Sequence, residues 1–300
     1  LENQGWKDSW DSVVDADGTL GESPIALCEV QGYCIDAYAR ASRVLAALGS
    51  HDLAASYRER SERMRVKFED EFWLPGDRRY AYAIDRTGRK FRTVVSNLGH
   101  LLWSRVPTPE RAELTARALM SPDSFTGYGV RTLARGQVPF NPLSYHNGTI
   151  WPHDNAIVAK GFANYRLHDR AVQLFGALHA ACEAFRDRRI PELFCGMDRV
   201  DGMLVRYPVA CSPQAWSAAA PFLFLQATLG IHFDATSGEL MIRDPRLPEQ
   251  VSELWIEGMR IASSRVSMRF LRAGTRCHVD NLRVTGAPLR VLIDVSTGGS

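Results

Sequence analysis

Residues 25–48 and 52–73 each carry apolar side chains at helical spacing, and only the Gly49-Ser50 stop and start signal and one further residue lie between them. A connection this short forces two helices to lie antiparallel and side by side, so the chain is predicted to open with an α-hairpin. Ser23 followed by Pro24 reads as the N-cap and first-turn pair of the first helix. The second is heavily charged along one side, as suits an outer helix shielding an inner one. The pattern recurs at 94–105 and 109–120, split by Pro107-Thr108-Pro109 with Thr108 as cap, and again at 153–165 and 168–185. A last helix is predicted at 213–229, capped by Ser212 with Pro213 in its first turn. A short strand and turn, 80–90, interrupts the series in the manner of an excursion at a barrel mouth. A closed ring of hairpins needs more helices than these, and the missing ones are expected upstream of Leu1.

From 231 onward the period changes to two, with strands predicted at 239–242, 253–256, 265–271, 276–279 and 289–295. The expected division is a helical domain over 1–230 and a small antiparallel β appendage over 231–300. A net charge of +2, spread along the chain, gives no electrostatic reason to expect nucleic acid or an anionic membrane as partner. The most apolar stretch, 216–231, is broken by Pro221 and Gln226 and is shorter than the roughly 20 residues that span a bilayer. Six scattered cysteines without a CxxC pair suggest a reducing, cytoplasmic compartment.

Four segments concentrate chemistry. In NQGWKDSWD (3–11) two indoles flank Asp8, with Asp11 a rival in the same turn. Indole faces pack against sugar rings, and a carboxyl beside an indole is expected to be desolvated and raised toward the range of a general acid. NPLSYHNGTIWPHDN (141–155) sets Tyr145, His146, Trp151, His153 and Asp154 just before a helix, the mixture of aromatic and hydrogen-bonding groups that sugar hydroxyls require. A metal held by His146, His153 and Asp154 is a weaker reading, because the spacing matches no zinc motif. RIPELFCG (189–196) presents Glu192 among apolar neighbours on a different interhelical loop from Asp8. Roughly 6.5–9.5 Å between two such carboxyls admits the water of an inverting glycosidase. RYPVACSPQAW (206–216) leaves Gln214 and Trp216 near the start of the last helix, where Trp216 serves the core as readily as a sugar.

Together with PIALCEVQGY (24–33) and GYGVRTL (127–133), these runs resemble the bacterial relatives of glycogen debranching enzymes, the amylo-α-1,6-glucosidase-like proteins of the six-hairpin glycosidase superfamily. The resemblance implies an incomplete (α/α)6 toroid with its first helices missing. It implies an inverting α-glucosidase without cofactor or metal, with Asp8 as general acid and Glu192 as general base. It further implies that Trp6, Lys7, Glu29, Gln31, Arg131, His146, Trp151, His153, Asp154 and Gln214 line the site for an oligo- or polysaccharide. Hydrolysis of a small glycoside such as trehalose or mannosylglycerate, and an inert carbohydrate-binding fragment, are the alternatives. The sequence carries no sign of oligomeric state.

Overall fold

The computed structural model describes residues 5–294, so Asn3 and Gln4 of the first motif and Val295 of the last predicted strand lie outside the described residues. Seven α-helices come first among them: α1 (Cys28–Ala47), α2 (His51–Phe72), α3 (Asn97–Trp103), α4 (Pro109–Leu119), α5 (Pro152–Asn164), α6 (His168–Glu183) and α7 (Ala215–Thr228). Each odd-numbered helix up to α5 forms a hairpin with the helix that follows it, while α1 packs on α3, α3 on α5 and α5 on α7. The odd helices therefore make an inner arc and the even ones an outer layer. Glycine sets the closest approach in this arc. A Cβ on Gly161 would come within 2.8 Å of the Gly99 carbonyl oxygen, so α3 and α5 meet backbone to backbone.

Two helix starts differ from the sequence prediction. Ser23-Pro24 does not cap α1, because the residues after it form β1 (Ala26–Leu27), which pairs antiparallel with β4 (Ala83–Ile84), and the helix begins only at Cys28. Likewise Ser212-Pro213 lies outside α7. Gln214 is the cap, its side-chain oxygen accepting from the Trp216 amide at 2.8 Å. Where sequence and structure agree, the mechanism is local: the Thr108 hydroxyl accepts from the Arg111 amide, with Pro109 in the first turn of α4. The 80–84 excursion is a pair of two-stranded ribbons, in which β2 (Trp73–Leu74) pairs with β3 (Arg79–Tyr80) and β1 with β4.

After α7 come β5 (Ile231–Asp234), β6 (Glu239–Arg243), β7 (Glu253–Ile261), β8 (Ser264–Ala273), β9 (Arg276–Gly286) and β10 (Arg290–Asp294). The sheet β7-β8-β9 is antiparallel, but the expectation of an antiparallel appendage fails at β10, which runs parallel to β6 from Arg290↔Glu239 to Asp294↔Arg243. Alternation reports which face a strand buries and carries no information on the direction of its partner. The β7-β9 meander intervenes between β6 and β10 and returns the chain in the same direction. A large apolar cluster fills the helical part and a smaller one, around Leu240, Ile242, Val266, Met268 and Phe270, fills the strands. No helix among the described residues is long and apolar enough to cross a membrane.

Candidate active site

The segments singled out in the sequence converge at the starts of the inner helices. The 141–155 run is drawn against the 190–196 loop by a backbone bridge between Ile150 and Phe194 and by the Gly196 amide, which donates to the Pro142 carbonyl at 2.8 Å. The approach tolerates no side chain. A Cβ on Gly196 would stand 1.7 Å from the Gly148 carbonyl oxygen. Gly148 itself has φ +154, with Asn141 O only 2.3 Å from where its Cβ would be.

The deepest layer is polar and buried. Lys7, Glu29, Asn97, His100 and Asp154 are all buried. The Lys7 ammonium donates to the Thr132 carbonyl oxygen at 2.7 Å. Burial pushes its pKa down to about 8 against the opposing pull of Asp154 and Glu29. Asp154 Oδ1 lies 2.7 Å from His100 Nε2, and the other ring nitrogen of His100 meets the Tyr33 hydroxyl. Burial alone would raise the Asp154 carboxyl, yet the hydrogen bond and charge of His100, with His153 and Lys7, hold it below its ordinary range. Glu29 accepts from Asn97 Nδ2 at 2.7 Å and from the Cys28 thiol. Lys7, Glu29 and Asp154 are thus one buried charge cluster. The network also explains the start of α5, where Asp154 turns inward to His100 while Asn155 bridges Val130 N and O.

Above it lies an aromatic layer. Trp6 packs edge-on to His146, Trp151 and His153 at ring-centroid distances of 5.6, 5.3 and 4.8 Å. His153 stacks on Trp216 at 3.8 Å with the planes 6° apart. Trp151, only 1% exposed, donates from its indole nitrogen to Tyr145 O at 2.9 Å. It is a floor under the other rings and offers no open face, contrary to its expected part as a sugar platform. The indole nitrogens of Trp6 and Trp216, Nδ1 of His153 and Oδ2 of Asp154 are buried with no partner among the described residues. Four unpartnered polar atoms in one cluster are uncommon in a finished core and suit a site that receives hydroxyl groups. Burial comes first in lowering His146 to about 3 and His153 to about 4, so both rings are neutral near pH 7.

The two carboxylates stand at the ends of the Tyr145-His146 pair. Glu192, 7% exposed, accepts the Tyr145 hydroxyl on Oε1 at 2.8 Å and the Cys211 amide on Oε2 at 3.2 Å. Burial, followed by the hydrogen bond and charge of Glu192 and the charge of Asp8, raises the Tyr145 phenol, which therefore stays a donor. Asp8 Oδ1 lies 3.9 Å from His146 Nε2. Its side chain is 88% exposed, and this overturns the expected burial of that carboxyl beside an indole: Trp6 turns inward and Asp8 turns out. The rival Asp11 is engaged, its carbonyl and carboxylate both accepting from Asn147 Nδ2. Ser9, His146 and Asp8 line up as hydroxyl, imidazole and carboxylate. However, an Nδ1 that accepts from the Ser9 amide and is lowered to about 3 is too weak a base to activate a serine.

Three expected residues stand apart. Arg131 is buried, donating to Gly196 O and Asp123 O and pairing with Asp198, so it braces the loops. The Gln214 side-chain oxygen caps α7. Gln31 sits half-buried in the first turns of α1, with no hydrogen bond or ring contact to the cluster. His100 and Asn97, which sequence reasoning missed, were signalled by two polar residues three apart in the otherwise apolar NLGHLLW helix. His146, His153 and Asp154 form no group able to hold a metal ion among the described residues, for Nδ1 of His146 is taken by Ser9 and Oδ1 of Asp154 by His100.

Residues 7–198 match the family model of the mannosylglycerate hydrolase MGH1-like glycoside hydrolase domain. The chain belongs to that family. Its fold is similar to that of several solved structures. The family 63 mannosylglycerate hydrolase of Thermus thermophilus in complex with glucose has a TM-score of 0.52 at 21% identity, covering 67% of this chain and 45% of its own. Neutral trehalase of Saccharomyces cerevisiae has a TM-score of 0.53 at 13% identity, covering 68% and 38%. A structure titled "Sialidase" reaches 0.69 at 13% identity, covering 89% of this chain and 26% of its own. No curated protein sequence matches. The MGH1-like chain thus spans between about a quarter and a half of the length of the structures it resembles.

Proposed function

We propose that the MGH1-like chain hydrolyses a small α-linked glycoside with inversion of configuration, Asp8 protonating the leaving oxygen and Glu192 activating the attacking water. The observation that carries this reading is that the two carboxylates, distant in sequence, address the two ends of one dipeptide, Tyr145-His146. Their environments differ. Glu192 is shielded and held by two donors, suiting a base that must orient a single water. Asp8 is open to solvent, where a leaving group can reach it. Membership of the MGH1-like family, and fold likeness to proteins titled mannosylglycerate hydrolase and trehalase, support a small glycoside. The amylo-α-1,6-glucosidase reading has the motif runs alone behind it. The inner arc α1-α3-α5-α7 supports a further inference, that these helices are four of the six inner helices of a toroid.

Asp8→Asn and Glu192→Gln are each expected to lower hydrolysis by several orders of magnitude while sugar binding persists. Fresh product, followed by proton NMR, is expected as the β-anomer. Sustained turnover by Glu192→Gln, or an α-anomeric product, sinks the assignment. Sugar binding without product identifies an inert binding module instead.

A further inference from the structure

The turn that carries Asp8 also presents an indole that the proposed acid and base leave unused. Trp10 is 85% exposed, the most exposed of the large apolar side chains among the described residues. An indole carries 150–250 Å² of surface that ordinarily goes into a core or an interface, so one left in water beside a candidate active site needs a reason.

The backbone supplies one. Residues 8 to 11 alternate in direction. Ser9 bonds inward to His146 Nδ1 through its amide and its hydroxyl, and Asp11 accepts from Asn147. The intervening Asp8 and Trp10 face solvent. The turn is closed by the Ser12 amide on Ser9 O at 3.1 Å and by the Ser12 hydroxyl on Lys7 O at 2.8 Å, and Lys7 is itself anchored to Thr132. Trp10 is therefore held, two residues from Asp8 and open to solvent like it, in one hydrogen-bonded turn, and little conformational freedom is lost when a ligand lies on it.

We propose that Trp10 is the platform for the leaving group, and that this leaving group is a sugar ring rather than a small acid or polyol. The inference rests on the assignment of Asp8 as the acid. The oxygen that Asp8 protonates is the one that stays with the leaving group, so the leaving group is the part of the substrate on the Asp8 side. A pyranose has an apolar C–H face that an exposed indole can cover, whereas a three-carbon acid has none of comparable size.

Two experiments test this. The first compares Trp10→Ala and Trp10→Phe with the parent chain on α-linked disaccharides (trehalose, isomaltose, α-mannobiose) and on the α-fluorides of glucose and mannose, whose leaving group is a single atom. Trp10→Ala is expected to lower the ratio of kcat/KM for disaccharide over fluoride by about ten- to thirtyfold, the value of one covered indole face, with Trp10→Phe in between. An unchanged ratio overturns the proposal while leaving Asp8 and Glu192 in place. The second needs no turnover. Oxidation of Trp10 by N-bromosuccinimide in the Glu192→Gln chain, read by mass spectrometry, is expected to slow with one of those disaccharides and to be unaffected by glucose or mannose. Equal protection by both, or by neither, overturns it. Failure of the Asp8 assignment shows separately, as disaccharide hydrolysis surviving in Asp8→Asn, whereas fluoride, which leaves without a proton, is expected to be hydrolysed by that variant in any case.

Discussion

The Tyr145 hydroxyl donates to Oε1 of Glu192 across 2.8 Å, joining the 141–155 run to the loop that carries the proposed base. Its phenol is raised above the ordinary range by burial and by that carboxylate, so near neutral pH it keeps the proton it donates to Glu192. Removing the hydroxyl frees one Glu192 oxygen to rotate away from the water it is proposed to orient. Tyr145→Phe is expected to lower kcat by on the order of ten- to hundredfold with a smaller effect on KM, in keeping with loss of one hydrogen bond to a charged group. Steady-state kinetics on the best disaccharide measure it, and an unchanged kcat removes Tyr145 from the positioning of Glu192.

Acid stability follows from His146 and His153. Both rings have folded pKa values, about 3 and about 4, below the ordinary 6.5, because burial disfavours the imidazolium. The unfolded chain binds protons that the folded one refuses. Stability is therefore fully present above pH 6.5 and is lost as pH falls toward 4, by about 1.4 kcal/mol per pH unit for each ring over that window. Urea unfolding between pH 7 and 4 is expected to show this slope, and His153→Gln to remove about half of the share due to the two rings. An identical pH profile in that variant contradicts an origin in the two buried imidazoles.

Much of this arrangement was legible in the sequence. The hairpins were fixed by breaks such as Gly49-Ser50 and Pro107-Thr108-Pro109, whose effects are local, and the aromatic run 145–153 fell together as its composition suggested. What could not be read was direction. Nothing local separates Asp8, which faces water, from Asp11, which binds Asn147, or tells that Arg131 turns into the loops and Trp151 into the floor. Asp11 is turned by Asn147, Arg131 by Gly196, and β10 by β6, partners all distant in sequence, and no periodicity encodes them.

The buried charge cluster makes Lys7 a structural anchor as well as a neighbour of the proposed acid. Lys7→Met deletes the cation between Asp154 and Glu29 and leaves the Thr132 carbonyl without that donor. Breaking a buried ionic arrangement on one side costs about 3–5 kcal/mol. A fall of that size in the free energy of urea unfolding is expected. A neutral result shows that the two carboxyls take up protons or partners at no cost when the ammonium is gone.

Gly196 offers the most local test of how the site is assembled. An alanine there would put Cβ 1.7 Å from the Gly148 carbonyl oxygen, a backbone atom in a loop held by Asn141 and Pro142. One of the two strands of chain must therefore separate, and with it go the Gly196 amide bond to Pro142 and the Arg131 bond to Gly196 O. Because Glu192 and Tyr145 sit on the two segments being forced apart, Gly196→Ala is expected to destabilise the fold by on the order of 3 kcal/mol and to lower kcat more than Tyr145→Phe does. Chemical unfolding and steady-state kinetics on the same preparation check both. A stable variant with parental kcat means that the contact between the two loops does not position the carboxylate.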